Sequence, residues 1–178
     1  MKKVNLEMKH FCDDFGKVRK VLKDIGAKKE VVKEQLDYFF NLPNIKKENN
    51  PRLKLRIEDS KKVELIYYER PNFKKGKGST SDVSLFQTFD KQILSVLERS
   101  LGIKVVVEKK REVWRKDNTV FYLDVIKDIG NIFEVELQKD NGIISERDKK
   151  LFEDYQKKLL PVIGKVVNGS NVDLVLRK

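Results

Sequence analysis

From Pro51 to Glu58 the chain reads Pro-Arg-Leu-Lys-Leu-Arg-Ile-Glu, a strict alternation of cation and aliphatic residue. Strand side chains point to opposite faces with a period of two, so Arg52, Lys54 and Arg56 share one face and Leu53, Leu55 and Ile57 the other. The same grammar recurs along the chain. Asn5, Glu7 and Lys9 lie opposite Val4, Leu6 and Met8; Glu134 and Glu136 lie opposite Phe133, Val135 and Leu137. Glu64, Ile66, Tyr68 and Arg70 share a face, as do Lys109 and Arg111. Taken singly, each strand fits a sheet with its polar side in water. Taken together they do not: the Arg-x-Lys-x-Arg and Lys-x-Arg runs fall on other strands than the Glu-x-Glu pair, and the opposite faces are strongly apolar. This is the pattern of polar faces turned into a common lumen and apolar faces packed outward against helices.

The rest of the chain supplies the pieces. Strands are predicted at about 3–10, 30–41, 51–58, 61–71, 80–88, 103–116, 118–126 and 131–138, separated by turn signals such as Asn49-Asn50-Pro51, Asp59-Ser60 and Asp117-Asn118. Three stretches have helical periodicity. Phe15, Val18, Val21, Leu22 and Ile25 form a stripe between Asp14 and Gly26. Ile93, Leu94, Val96, Leu97 and Leu101 form another between Asp90, read as an N-cap, and Gly102. Leu151, Phe152, Tyr155 and Leu159 form the third, behind a Ser145–Asp148 capping box and before Pro161. The fold class expected is mainly β within α+β: an eight-stranded antiparallel closed barrel, which leaves no exposed edge, with about three helices outside. The 178 residues suit one domain, 1–178.

Composition narrows the chemistry. Charged residues make up 38% of the chain, every apolar run is short, and the opening MKKVNLEMKH has no apolar segment behind its lysines. No membrane span or signal peptide is expected, and one cysteine, Cys12, fits a reducing, cytoplasmic setting. With one histidine, His10, a His-based metal site or a Ser-His-Asp arrangement has almost nothing to draw on. Catalysis would have to use carboxylates, Lys, Arg and a metal held by oxygen. The net charge of +11 calls for an anionic partner. General nucleic-acid binding ranks last, because the patterned bases would face Glu7, Glu134 and Glu136, which repel a backbone phosphate unless a metal intervenes; a 5′-triphosphate RNA end stays open as a substrate.

A series of short motifs then falls in order. Asn5-Leu6-Glu7-Met8-Lys9 is followed by Gln35-Leu36-Asp37-Tyr38-Phe39-Phe40, Arg52-Leu53-Lys54-Leu55-Arg56 and Glu64-Leu65-Ile66-Tyr67-Tyr68-Glu69-Arg70-Pro71. After these come Ser81-Asp82, Leu101-Gly102, Val107 to Arg111, Leu123-Asp124, Ile129-Gly130, Phe133-Glu134-Val135-Glu136, Gly169-Ser170 and Asp173-Leu174. This succession resembles the CYTH domain, the triphosphate tunnel metalloenzyme family, most closely its class IV adenylyl cyclase-like branch. The resemblance implies a triphosphate tunnel and a metal-dependent activity: ATP converted to cyclic AMP and pyrophosphate, or hydrolysis of a triphosphate such as thiamine triphosphate or tripolyphosphate. Position by position, it implies that Glu7, Glu134 and Glu136 bind Mg²⁺ or Mn²⁺, with Asp124 metal-facing or behind the ligands. It implies that Lys9, Arg52, Lys54, Arg56, Arg70, Lys109 and Arg111 hold phosphate oxygens, with Lys9, Arg56 and Lys109 closest to the chemistry.

Several positions depart from that pattern. Val120 stands where the family has Arg, Tyr122 where it has His, Val83 where it has Tyr, Val125 where it has an acid and Asn171 where it has Tyr. The three valines favour the alternative of a catalytically impaired nucleotide- or polyphosphate-binding protein, ranked behind the enzyme. His10 is out of phase with Glu7 and Lys9 and is read as a surface residue, Cys12 as an incidental or packed thiol, and Trp114 as cover for the outer barrel face. A lumen lined by so many cations is expected to be strained when empty.

Overall fold

The computed structural model describes residues 2–43, 51–69, 79–139 and 143–178. Eight strands and four helices follow in the order β1 (Lys2–Phe11), α1 (Phe15–Asp24), β2 (Lys28–Phe40), β3 (Pro51–Glu58), β4 (Lys62–Glu69), β5 (Ser79–Thr88), α2 (Gln92–Leu101), β6 (Ile103–Lys116), β7 (Thr119–Ile126), β8 (Gly130–Lys139), α3 (Glu146–Leu159) and α4 (Asn171–Leu176). Every strand pairing is antiparallel. The order around the sheet is β1-β5-β4-β3-β2-β6-β7-β8, and β1 pairs with β8 as well as with β5, which makes the sheet a barrel.

The outward faces are apolar because helices cover them. Leu6, Met8, Phe121, Leu123, Phe133, Val135 and Leu137 pack against Phe15, Val18 and Leu22 of α1 and Phe152, Tyr155 and Leu159 of α3. Phe121 and Tyr155 meet edge to face at 5.4 Å. Burial of a Phe or Leu side chain here contributes about 1.5–3 kcal/mol, so this wall holds the barrel to its helices. On the other side Leu53, Leu55, Ile57, Val63 and Leu65 face Ile93, Leu94, Leu97 and Leu101 of α2. Val96, expected in that stripe, is 61% exposed instead.

The helix boundaries follow local chemistry. Asp14 caps α1 by accepting from the Gly16 amide, and Gly26 takes a positive φ just past its end. Ser145 and Asp148 form a complete capping box on α3. Asp90 is not the N-cap of α2, since Lys91 holds that position; its carboxylate still accepts from the Gln92 amide at 2.8 Å. His10 is buried against the strap that precedes α4, its Nδ1 2.9 Å from the Gly164 carbonyl, so the surface expectation fails: the out-of-phase face of β1 is covered. Cys12 is a buried free thiol, and Trp114 is buried on the outer wall, donating to Glu112 at 2.6 Å.

The fourth helix was not foreseen. Six residues are too few to show periodicity. α4 closes one end of the barrel, where the lumen-facing side chains become apolar: Phe39, Val107, Ile126 and Ile132 form a cluster with Val167 and with Val172 of α4.

Candidate functional site

Above that apolar end the lumen is built in two layers, each fixed by strand register. The first sits one alternation along from the cluster. β1 contributes Lys9, β8 Glu134, β7 Asp124, β6 Lys109 and Arg111, β2 Asp37 and β3 Arg56, with Lys54 beside Phe39. The Asp37 carboxylate accepts from Arg56 at 2.6 and 2.8 Å and from Lys54 at 3.1 Å, and the Lys109 ammonium lies 3.8 Å away. Asp124, fully buried, takes two hydrogen bonds from Arg111, both 2.6 Å. Arg111 is stacked over the Tyr122 ring at 3.9 Å, and its Nη2 reaches Glu134 at 3.4 Å. Lys9 pairs with Glu134 at 3.1 Å. In this layer five cations face three carboxylates.

The second layer lies one alternation further from the closed end, about 7 Å along the strands. Here Glu7 and Glu136 stand directly across the β1–β8 ladder. Oxygens of Glu7, Glu134 and Glu136 lie within 4.8 Å of one another. Octahedral Mg²⁺ has oxygen ligands at about 2.0–2.1 Å, so two ligands on one ion sit about 3–4 Å apart, and small side-chain rotations bring this trio into range. An all-carboxylate donor set suits a hard divalent cation. Further from α4 follow neutralised pairs: Glu58 with Lys33 and Gln35, and Glu64 with Lys62 and Gln87.

Burial sets the protonation behaviour. Burial and then the charge of Arg56 lower the Lys54 ammonium to about 7, against the pull of Asp37. Burial and then Arg111 lower Lys109 to about 8. Burial opposes ionisation of Asp37, but Lys54, Arg56 and Lys109 together hold its carboxyl well below the usual range. Burial and the neighbouring Glu134 push Glu136 up, while Lys9 and Arg111 outweigh burial at Glu134 and hold it down.

Between pH 7 and 10.5 the unfolded chain therefore keeps protons on these two lysines that the folded chain sheds. Ligand-free protein gains stability as pH rises through that window. Binding of a polyanion runs the other way, because each proton lost from Lys54 or Lys109 removes a cation from the lumen. Thermal melts at pH 6.5 and pH 9 are expected to show a higher melting temperature for the free protein at pH 9 and a smaller tripolyphosphate-induced rise.

The structure thus brings Lys9, Lys54, Arg56, Lys109, Arg111, Glu7, Glu134 and Glu136 into one lumen. Asp124 stands outside the carboxylate trio, because Arg111 occupies both its oxygens. Arg52 points into the barrel at its closed end, where Asp173 of α4 accepts from Nη2 at 2.8 and 3.1 Å and Ser170 contacts Nη1. Arg70 lies outside the described residues. The expectation of a lumen strained by unopposed cations does not hold: Asp37, Asp124, Glu134 and Asp173 already offset much of the charge. The departures differ in weight. Val120 is fully buried on the lumen face opposite Glu136, so an expected cation is absent there. Val125 is 47% exposed on the outer face, so its missing acid takes nothing from the lumen.

Residue choice, strand register and lumen together define a CYTH barrel, and the CYTH domain family profile matches residues 5–165. The chain belongs to the CYTH domain family. It is 29% identical over 153 residues to the protein of Methanocaldococcus jannaschii named "Putative adenylate cyclase MJ0240", covering 84% of this chain and 85% of that one. The PH1012 protein of Pyrococcus horikoshii shares the fold at TM-score 0.75 and 22% identity, over 96% of this chain and 98% of that one. HpAC1 of Hippeastrum, described as a "putative adenylyl cyclase" with a dominant triphosphatase activity, superposes at TM-score 0.66 and 16% identity, over 99% and 96% of the two chains. At these identities the two solved structures speak for the fold alone. No helix among the described residues is long and apolar enough to cross a membrane.

Proposed function

We propose that the protein is a metal-dependent enzyme acting on a triphosphate substrate held in the barrel lumen. The layering carries this reading: a cation-rich layer near the closed end, and a carboxylate trio one step further out. A bare polyanion would be repelled by Glu7 and Glu136, and a bare metal ion by the cations beneath. A triphosphate carrying Mg²⁺ or Mn²⁺ satisfies both layers. Glu7, Glu134 and Glu136 would hold the ion, which when bound supplies Lewis acidity at phosphate oxygens. Lys54, Arg56, Lys109, Arg111 and Lys9 bind and offset the charge that builds on the phosphates, and Asp37 and Asp124 orient the Arg56 and Arg111 guanidinium groups. The reaction is attack on a phosphorus, by water in a hydrolase or by the 3′-hydroxyl of ATP in a cyclase.

The reading is tested by following phosphate, pyrophosphate and cyclic AMP release from ATP, thiamine triphosphate, tripolyphosphate and a 5′-triphosphate RNA end, with Mg²⁺ or Mn²⁺. Turnover that chelator abolishes is expected. Because burial and the neighbouring Glu134 push the Glu136 carboxyl up from its ordinary range, metal affinity is expected to climb as pH rises. Val120 beside Glu136 supports the alternative, a non-catalytic triphosphate binder. That protein would show a tripolyphosphate-induced rise in melting temperature and no turnover with any member of the panel.

A further inference from the structure

Three cations in the lumen share one acid. The Lys54 ammonium donates to Asp37 Oδ2 at 3.1 Å, and the Lys109 ammonium lies 3.8 Å from the same oxygen. Arg56 donates to both oxygens of that carboxylate, at 2.6 and 2.8 Å. The other neighbours of Lys54 carry no charge: its partner on β4 is Ile66, and the Phe39 ring lies 5.6 Å from the ammonium. Among the described residues no second acid pairs with Lys54. A buried amine crowded by other cations is the arrangement that makes a lysine a nucleophile, because releasing the proton removes the repulsion. Burial and then Arg56 lower Lys54 to about 7, so a large share of this amine is unprotonated at neutral pH. It is also the more reachable of the two lysines, with 12% of its side chain exposed against 4% for Lys109.

Resting on the reading above that the lumen holds phosphate, we infer that Lys54 is a covalent modification site, an amine that condenses with small aldehydes carrying a phosphate group. Arg56 and Lys109 hold the phosphate, which brings the carbonyl carbon to Nζ. The nitrogen lone pair bonds to that carbon, the carbonyl oxygen leaves as water, and the product is an imine. When protonated the imine is a cation, and Asp37 stays beside it as counter-ion. An eight-stranded barrel encloses a space about as wide as one small ligand, so the adduct fills the place a triphosphate would take. A modified chain therefore loses triphosphate binding, and phosphorylated aldehydes are a class of covalent inhibitor for this site.

The probes are glycolaldehyde phosphate and glycolaldehyde, applied to the wild-type protein with sodium cyanoborohydride, which fixes the imine as a secondary amine. Peptide mass mapping locates the adducts. Lys54 is expected to label about tenfold or more faster with glycolaldehyde phosphate than with glycolaldehyde, whereas exposed lysines label alike with both. Labelling of Lys54 is expected to rise between pH 6 and pH 8 and then level off, while exposed lysines, titrating near about 10.4, go on rising. Tripolyphosphate is expected to protect Lys54, and Lys54→Met to lose this adduct and no other. Adducts spread over exposed lysines with none on Lys54, or Lys54 labelled equally by the two aldehydes, would overturn the inference. So would Lys54 left unprotected by tripolyphosphate that does raise the melting temperature. Tripolyphosphate that leaves the melting temperature unchanged would instead remove the functional reading beneath it.

Discussion

Glu136→Gln is expected to abolish metal-dependent turnover while leaving triphosphate binding in part. Glu136 is one of three carboxylates whose oxygens converge within 4.8 Å. Its amide replacement keeps the volume and removes the charge that draws the cation. Loss of a ligand in such a site is expected to lower the rate on the order of a hundredfold or more, several kcal/mol of transition-state stabilisation. The cation layer beneath is untouched, so a tripolyphosphate-induced thermal shift should persist, and it should lose its dependence on Mg²⁺. Single-turnover kinetics with the best substrate of the panel, with melts run in parallel, checks both halves. Turnover unchanged in this variant and insensitive to chelator would show that the metal site is misassigned.

Asp37→Asn is expected to give the largest loss of ligand-free stability among lumen substitutions. Asp37 is 3% exposed and is the shared counter-ion of Lys54, Arg56 and Lys109. Removing its charge leaves three buried cations facing one another, at a cost of about 3–5 kcal/mol. For a domain of this size that corresponds to a fall of roughly 10 °C in melting temperature. Lys54, already lowered to about 7, can relieve the repulsion by releasing its proton, so the loss should be greater at pH 6 than at pH 9. Tripolyphosphate restores negative charge to the same place, and its stabilising effect should exceed that seen with wild type. A variant as stable as wild type, with no enlarged response to tripolyphosphate, would mean that the three cations do not depend on Asp37.

Much of the fold was legible because the strands alternate so strictly. Within the described residues the eight predicted ranges differ from the observed strands by at most two residues at each end, positions 70–71 of the fourth range lying outside them, and β3 at 51–58 coincides with its observed range. A period of two is imposed directly by strand geometry, and the turn residues that break it are short-range signals. The lumen-facing Lys, Arg and Glu residues were legible for the same reason. What was not legible depends on register between strands. Asp37 sits in Gln-Leu-Asp-Tyr-Phe-Phe as a single acid in an apolar run, and only its alignment with Arg56 on β3 and its approach to Lys109 on β6 reveal it as the counter-ion of the cation layer. Asp124 likewise looked like a possible metal-facing acid until its alignment with Arg111 appeared. The contact that ties α4 to the barrel needed more still. α4 is six residues long, and Arg52 is separated from Asp173 by 121 positions.

The central claim, that one lumen holds a divalent cation on its carboxylate layer and a triphosphate on its cation layer, is tested most directly by crystallising the protein with Mn²⁺ and tripolyphosphate and mapping the manganese anomalous signal. The account predicts one or two peaks bounded by Glu7, Glu134 and Glu136, with phosphate density running inward from them to Lys54, Arg56 and Lys109. Manganese bound elsewhere, or tripolyphosphate lying on the outer lysines with an empty lumen, would contradict it.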